Sequence, residues 1–384
     1  MKSINIFKKN ATLKGVLFSS FAMAFAGLGD ALLYPVLPIY GEEMGFSVLW
    51  IGVFLSINRF VRIPGNALVA YYITKKGYKK AMLLATIFAM LTTFFYGFKI
   101  GIFLFLISRI IWGLSYATMR VSSLAYASNT VKNKNIMFGL VQSIKTTGAV
   151  LALFVGSYLI KIYSINISFI VLGSLSFLGV LFAYKLPNIK IETSKISLKK
   201  VLSFSTLNTL TFLTPFIIDG VLVVTISKLL FNYSNTKLVM VVSGYLLFRK
   251  LCSAVVSVFS GWVSDRFGVL LVFKIALIFV LSSLLFILTN QIEIGIVIAF
   301  LFNSVIVAML PSVALKFNNK NKLTTLTSIT TWWDIGAATG TLIGLFLIQL
   351  VGYHWLFGVL FGLLLVVISI FFKKSASFSN PKHL

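Results

Sequence analysis

Apolar runs of about twenty residues recur along the whole chain, and this recurrence limits the possible folds more than any other feature. Each run is long enough to cross roughly 30 Å of hydrocarbon. A spanning segment must satisfy its own backbone in lipid, which runs of this length do as helices. Taking the polar breaks as boundaries predicts twelve spans, at 15–40, 48–72, 81–98, 101–128, 136–160, 167–185, 204–230, 238–262, 270–289, 294–315, 323–350 and 355–372. The expected fold is therefore an all-α polytopic membrane protein with twelve transmembrane helices. Composition agrees: 59% of the 384 residues are hydrophobic and 11% are charged, where a soluble domain carries roughly 25% charge. Lys2, Lys8 and Lys9 precede an apolar run containing Ala22-Met23-Ala24, which has the look of a secretion signal. The run continues past that point and eleven spans follow, so a retained first helix is expected.

The net charge of +26 would point to nucleic acid in a soluble protein. Here the lysines concentrate in short loops that can all lie on one side, so no nucleic-acid partner is expected. That side receives Lys14, Lys75, Lys76, Lys79, Lys80, Lys132, Lys134, the cluster within 185–200, Arg266, the lysines of 316–322, Lys373 and Lys374. The opposite loops hold Lys99, Lys161 and Lys237, offset by Glu42, Glu43 and Glu293. Short-loop Lys/Arg bias marks the cytoplasmic face, and an even span count puts both termini there, in a multi-pass plasma (inner) membrane protein. The single cysteine, Cys252, excludes an intrachain disulfide framework and a Cys-rich metal site. His354 is expected in a loop and His383 at the C-terminus, so neither is placed as a buried relay. No cofactor, metal or enzymatic nucleophile–base set is expected. The Gly-x-x-x-x-Gly-Lys-Ser/Thr phosphate loop of ATP-driven pumps does not occur in the sequence.

The longest polar stretch follows span 6. It divides the chain into a six-helix half at 1–185, a cytoplasmic linker at 186–203 and a second six-helix half at 204–384. The halves look alike. Gly261-Trp262-Val263-Ser264-Asp265-Arg266-Phe267-Gly268 follows span 8, and Ala70-Tyr71-Tyr72-Ile73-Thr74-Lys75-Lys76-Gly77 follows span 2. The same offset sets Arg59 against Lys250 and brings Asp30 within two positions of Asp219. Two duplicated, pseudo-symmetric halves point to a transporter that holds its solute near the midplane between them.

These residues resemble the major facilitator superfamily across nearly the whole chain. The most specific sign is the loop pattern Gly-x-x-x-Asp-Arg-x-Gly, complete at Gly261, Asp265, Arg266 and Gly268. The resemblance implies a conformational lock between cytoplasmic helix ends, in which a carboxylate answers a helix N-terminus and its basic neighbour pairs with an acid. The first-half copy keeps Lys75 and Gly77 but has Thr74 for the acid and Ala70 for the leading glycine, so a weaker lock is expected there. Arg109-Ile110-Ile111-Trp112-Gly113 resembles the Arg-x-x-(Gln or Trp)-Gly motif of proton-coupled members, which places Arg109 beside the proton pathway. The stretch Gly27-Leu28-Gly29-Asp30 with Pro35 and Pro38 resembles the first-helix signature of the drug:proton antiporter branch. The Gly-Pro element of that branch is absent from span 5, where Ala149 follows Gly148.

Charges well inside the spans carry the functional reading, because a charged side chain at the bilayer centre costs about 3 kcal/mol on insertion scales. Asp30, Asp219 and Asp334 lie inside spans 1, 7 and 11; Arg59, Arg62, Arg109, Lys145, Arg249 and Lys250 lie inside spans 2, 4, 5 and 8. Arg120 sits near the inner end of span 4, and Lys228 and Lys274 are near enough to helix ends to snorkel. Arg62 precedes Pro64, whose freed carbonyl offers it a structural partner. Three acids cannot pair six bases one to one, so the remaining bases bond carbonyls, face water or meet an anion. Arginine binds carboxylate in a bidentate fork. Proton coupling is expected at Asp30, Asp219 and Asp334 with Arg109; substrate binding is expected at Arg59, Lys145, Arg249, Lys250, Trp112 and Trp333. Trp50, Trp262 and Trp355 read as interfacial anchors, and Gly336, Gly340 and Gly344 as a close helix approach.

The expected function is proton-coupled secondary transport of a small organic solute by alternating access, with export of an anionic or carboxylate-bearing compound such as a siderophore. The alternatives are a multidrug efflux antiporter for amphipathic compounds and a proton-coupled organic-anion importer. The expected partners are solute, protons and lipid, around a monomeric protein.

Overall fold

The computed structural model describes residues 2–98, 100–130, 132–189, 198–230, 235–318 and 321–377. Lys99, Lys320, His383 and linker residues 190–197 lie outside the described residues, as do the side chains of Lys2, Lys8, Lys9 and Lys237. The helices are α1 (Lys2–Ala26), α2 (Leu28–Tyr40), α3 (Val48–Lys76), α4 (Tyr78–Phe95), α5 (Gly101–Ser128), α6 (Lys134–Ile162) and α7 (Ile165–Tyr184). They continue with α8 (Leu198–Val201), α9 (Thr206–Pro215), α10 (Val223–Leu229), α11 (Asn235–Phe267), α12 (Val269–Leu288), α13 (Ile292–Phe317) and α14 (Lys322–Ser377). A π-helical segment, Phe216–Leu222, joins α9 to α10.

The molecule is an all-α polytopic membrane protein. Ten helices among the described residues are long and apolar enough to cross a bilayer. One of them, α14, has 56 residues and turns at Gly352 (φ 75°, ψ 164°); straight, it would span about 80 Å, far more than one crossing needs. The left-handed φ favours glycine, and the break makes α14 two crossings. The arginine-bearing α3, at 29 residues, completes twelve. The expected loop at His354 is corrected by this break. The chain reverses at Gly352 and resumes helix at once, so His354 is an exposed helical residue packed against Tyr353 with ring centres 4.0 Å apart.

Burial is inverted relative to a soluble protein. Phe103, Phe154, Tyr158, Val255, Leu342 and Trp355 are exposed, whereas Ser19, Ser122, Ser176, Thr225, Thr327 and Thr331 are buried. Lipid replaces water outside, so apolar side chains cost nothing there. Most inner hydroxyls are satisfied along their own helix, as when Thr225 donates to the carbonyl of Val221 at 2.8 Å.

Span 7 is not a regular helix. Pro215 has no N–H to donate, and the ladder slips to the wider π pattern immediately after it, across Phe216–Leu222. The slipped segment carries Asp219. It lies against α14 at backbone distance, since a Cβ on Gly336 would stand 2.1 Å from the carbonyl oxygen of Phe212 and one on Gly340 2.3 Å from that of Phe216. Side chains there would push the two helices apart.

Helices α1 to α7 pack among themselves, as do α9 to α14. The two sets meet along α3 with α14, α5 with α14, α6 with α11 and α6 with α13.

Candidate functional site

The buried acids each find a basic partner, and each does so differently. Asp30 accepts from Arg109 Nη1 at 2.5 Å. Arg109 is 0% exposed; its Nε donates to the carbonyl of Phe54 at 2.7 Å, and Nη1 lies 3.4 Å from the Tyr96 hydroxyl. Trp112, one turn further along α5, is buried beside this guanidinium and stacked on Tyr116 with ring centres 5.2 Å apart.

Asp219 accepts from Arg249 Nη2 at 2.6 Å and from Asn303 Nδ2 at 3.1 Å. This pair is wetter, with 26% of the Arg249 side chain exposed. Next to it, Lys250 is solvent-accessible in mid-helix, yet it lies in electrostatic reach of Lys145, Tyr116, Arg249 and Asp219. Lys250 therefore faces the space between the two helix sets. Lys145 joins it from α6, its ammonium donating to Gln142 Oε1 at 2.6 Å.

Asp334, 2% exposed, bridges the sets. Both of its oxygens take Arg120 in a fork, Nη1 to Oδ1 at 3.1 Å and Nη2 to Oδ2. Arg62 Nη2 stands 3.3 Å from Oδ1, and Asn66 Nδ2 donates to Oδ2 at 3.2 Å. Two turns along α14, Thr341 accepts from Arg59 Nη1 at 3.2 Å. Arg59, Arg62 and Asn66 are spaced three and four apart, so they share one face of α3, and that face meets α14.

Two sequence expectations change here. Arg62 does not settle on the carbonyl freed by Pro64; it extends over the Tyr116 ring to Asp334, because a buried carboxylate is the stronger acceptor. Arg120 is not a marginal inner-end residue but the principal partner of Asp334. A signal was present, since Arg120 follows Arg109 by three helical turns and must share its face. Asn66 and Asn303, buried amides on the same faces as the charges, were missed. So was Tyr96, whose role needs the tertiary structure. Trp333 sits half-buried against the core beside Asp334. Among the described residues, Arg59, Lys145 and Lys250 have no carboxylate within ion-pair distance.

At the lysine-rich end, Asp265 crosses from α11 to cap α6. Its oxygens accept from the backbone N–H of Asn135 at 3.2 Å, that of Ile136 at 3.0 Å and the Asn135 amide at 2.8 Å. Ser312 of α13 donates to the same Asn135 side chain. Gly261 lies flat on this helix start, where a Cβ would stand 2.7 Å from the Asn135 carbonyl oxygen. Three amide donors at a helix N-terminus suit a carboxylate both by hydrogen bonding and by the helix dipole. Arg266 departs from the implied pairing with an acid: it lies over the Trp262 and Phe267 rings, and no carboxylate is within ion-pair distance among the described residues. Gly268 and Gly77 hold φ of +93° and +88° at the tight turns that start α12 and α4. In the first copy Thr74 bonds back to the Tyr71 carbonyl at 2.7 Å, and Lys75 lies over the Tyr71 ring. Thr74 therefore caps its own helix end rather than another helix.

Comparison with known proteins agrees with this architecture. The sequence model of the Major Facilitator Superfamily matches residues 19–248, more than half of the chain. Multidrug resistance proteins 1 and 2 of Bacillus subtilis are 23% and 25% identical over 159 and 160 residues, 41% of this chain. An uncharacterized MFS-type transporter of Methanocaldococcus jannaschii is 28% identical over 204 residues, 50% of this chain. The matched segments span 40%, 39% and 52% of those relatives' lengths. Among solved structures, the human organic anion transporter MFSD10 superposes with a TM-score of 0.75 at 16% identity, covering 93% of this chain and 98% of that one. The proton:xylose symporter XylE superposes at 0.70 and 10% identity, covering 95% and 96%. A bacterial homologue of the iron transporter ferroportin, in an outward-facing state, also superposes at 0.70, with 13% identity and coverage of 95% and 99%. The chain is a transporter fold with no enzymatic counterpart among these, and it belongs to the major facilitator superfamily.

Proposed function

We propose that this protein is a proton-coupled secondary transporter that exports an anionic or carboxylate-bearing organic solute by alternating access. The observation that carries the reading is the set Arg59, Lys145 and Lys250. They reach the inter-half space from α3, α6 and α11 with no carboxylate partner among the described residues, while Arg62, Arg109, Arg120 and Arg249 are all taken by acids. An uncompensated trio of cations near the midplane selects a solute that brings negative charge. Arg249, Trp112 and Trp333 complete the binding wall in this reading. A polycarboxylate chelator of the siderophore kind fits it.

The two halves, 1–185 and 204–384 joined by the linker 186–203, rock about this site. Gly261, Asp265, Arg266, Gly268, Lys75 and Gly77 secure the lysine-rich face, which is the cytoplasmic side of the inner membrane and carries both termini. Asp30 with Arg109 and Asp219 with Arg249 exchange protons as the halves move, and Asp334 joins them as the carboxylate whose partners come from the opposite half. The protein works as a monomer.

The test is transport in inside-out vesicles under an imposed pH gradient, with citrate as carboxylate probe and ethidium as cationic probe. Gradient-dependent citrate accumulation that falls in Lys145→Gln, Lys250→Gln and Arg59→Gln is the expected result; ethidium movement without citrate movement would overturn the anionic reading. A second reading, efflux of amphipathic drugs, is favoured by one observation, the similarity to the Bacillus subtilis multidrug resistance proteins. In that case the three bases are structural, and their substitution leaves ethidium efflux unchanged.

A further inference from the structure

A cavity of about 600 Å3 opens on the side opposite the lysine-rich face, entirely within the first helix set. Three turns form it: Glu43 and Phe46 between α2 and α3, Tyr96, Phe98 and Ile100 where α4 gives way to α5, and Ser164 to Asn166 where α6 gives way to α7. It lies on none of the four seams where the sets meet. Its floor is Tyr96, 1% exposed, packed on Phe105 with ring centres 5.0 Å apart, and Phe105 in turn touches Phe46 and Phe54 at 4.9 and 4.6 Å. The aromatic rings close the inner end of the cavity, and Tyr96 belongs both to the cavity lining and to the surroundings of Arg109. The Tyr96 hydroxyl lies 3.4 Å from Arg109 Nη1, which holds Asp30 at 2.5 Å.

Behind these rings, several buried polar atoms have no hydrogen-bond partner among the described residues: Arg109 Nη2, Trp112 Nε1, Thr93 Oγ1 and Asn58 Oδ1. Trp112 lies beside the Arg109 guanidinium, and Thr93 and Asn58 pack on the two helices that carry the ion pair. Thr93 abuts Gly29, where a Cβ would stand 2.6 Å from its hydroxyl, and the Asn58 backbone abuts Gly113, one turn from Arg109. Clusters of buried, unpartnered polar atoms hold ordered water, typically with two to four such partners each.

We propose that this cavity is a proton inlet to Asp30, separate from the solute space, with the Tyr96 hydroxyl as its relay. A hydronium in the cavity protonates the Tyr96 oxygen, and the Tyr96 O–H proton passes inward to a water held by Arg109 Nη2 and Thr93 Oγ1. That water in turn protonates the Asp30 carboxylate. One proton moves from cavity to Asp30, Tyr96 ends neutral, and Arg109 keeps its charge because a guanidinium does not deprotonate in proteins. Glu43 at the rim supplies the negative charge that draws protons in. The groups around Asp30 are Arg109 from α5, Tyr96 from the end of α4, Tyr34 on its own helix and Arg59 of α3, which interacts with Tyr34. α6 brings Lys145, bound to Gln142, and in its outer part the exposed Tyr158 and Lys161; α7 carries only Tyr184 at its far end. A separate inlet lets Asp30 load while the solute site is occupied.

This rests on Asp30 being the coupling carboxylate, and the test separates the two ideas. Purified protein in lipid nanodiscs is given a rapid pH drop, and protonation of Asp30 is followed by its infrared carboxyl band, isolated by subtracting Asp30→Asn. Tyr96→Phe keeps the ring and removes the relay; the expected result is a rise about a hundredfold slower to the same endpoint. In a Cys252→Ser background, Asn166→Cys carrying a bulky maleimide fills the cavity and slows it likewise, while the same label at Ser253→Cys, between the halves, does not. An unchanged rate in both Tyr96→Phe and labelled Asn166→Cys overturns the inlet, as does slowing by the Ser253 label alone. A carboxyl band that never changes with pH overturns the coupling role of Asp30 itself, and the inlet with it.

Discussion

Each half of the molecule places a carboxylate at nearly the same point of its first helix, and the two halves neutralise it from different directions. Asp30 takes its arginine from α5, the fourth crossing, and Asp219 takes its own from α11, the eighth. The offset that sets Arg59 against Lys250 also sets Asn58 against Arg249 and Arg109 against Phe300. The cation has changed helices. In the first half it stands deep, sealed by Phe54, Tyr96 and Trp112; in the second it stands beside Lys250 on a surface that water reaches, over the ring of Phe300. Duplicated scaffolds thus give one pair whose guanidinium is sealed and one whose guanidinium meets water. A sealed guanidinium suits a proton that must not leak, and an accessible one suits a wall that meets a solute.

Truncating the cation tests this contrast with the largest expected effect. Arg109→Met takes from Asp30, itself 13% exposed, a guanidinium that is wholly buried, at a cost of about 3 kcal/mol. Arg249→Met exposes Asp219 to water and to Asn303, and costs about 1 kcal/mol. Thermal unfolding in detergent should therefore show a much larger drop in Tm for Arg109→Met. Equal drops would erase the distinction between the pairs. Asp30→Asn in the Arg109→Met background should restore part of the loss, because the orphaned charge is gone.

The seams between the halves differ in the same spirit. Where α3 and α5 meet α14, the middle of the seam is ionic: Arg62 and Asn66 of α3 and Arg120 of α5 converge on Asp334. Where α6 meets α11, the middle is neutral, with Gln142 donating to Ser253 at 2.9 Å, Thr146 within 3.1 Å of the same hydroxyl and Ser143 donating to the Ala254 carbonyl. Asp334→Asn removes the charge that two guanidinium groups share, a loss of about 2–3 kcal/mol from the contact made in this state. Halves held less firmly should increase maleimide labelling of a cysteine at Ser312, on the lysine-rich face, by tenfold or more. Ser143→Ala removes one neutral hydrogen bond, about 1 kcal/mol, and should raise the same labelling about fivefold. A larger effect from Ser143→Ala would reverse the ranking of the seams.

Much of this was legible in the sequence. The twelve crossings, the depth of Asp30, Asp219 and Asp334 and the complete loop pattern at Gly261 to Gly268 follow from runs, spacing and a repeated offset. The pairings do not, because they depend on the rotation of each helix about its axis, which hydrophobicity fixes poorly when lipid and protein interior are both apolar. Arg62 shows this: local reasoning assigned it to the carbonyl freed by Pro64, and a long side chain found Asp334 on another helix instead. The π segment at Phe216–Leu222 was equally hidden. Pro215 announces a disturbed ladder but not its slip to the π pattern, nor the close approach of the Gly336 and Gly340 backbone to this stretch.

The smallest effect concerns the loop copies. Asp265 ties α11 to the start of α6 with three donors, and its counterpart Thr74 bonds only within its own helix. The seam with the charged middle therefore lacks the capping carboxylate, and the seam with the neutral middle has it. Each seam carries one charged fastening, at a different depth. Giving α3 the missing carboxylate adds the second. The offset that sets Ala70 against Gly261 sets Asn135 against Leu326, near the start of α14, along which α3 packs. A carboxylate at an exposed helix N-terminus contributes about 0.6 kcal/mol, a factor of about three in an equilibrium. Thr74→Asp should therefore lower maleimide labelling at Thr325→Cys, in a Cys252→Ser background, about threefold from the lysine-rich side, and high salt should abolish most of the difference. Unchanged labelling at low salt would mean that Thr74 stands too far from α14 for any side chain to fasten it, and the asymmetry of the seams would lie in the backbone rather than in one substituted acid.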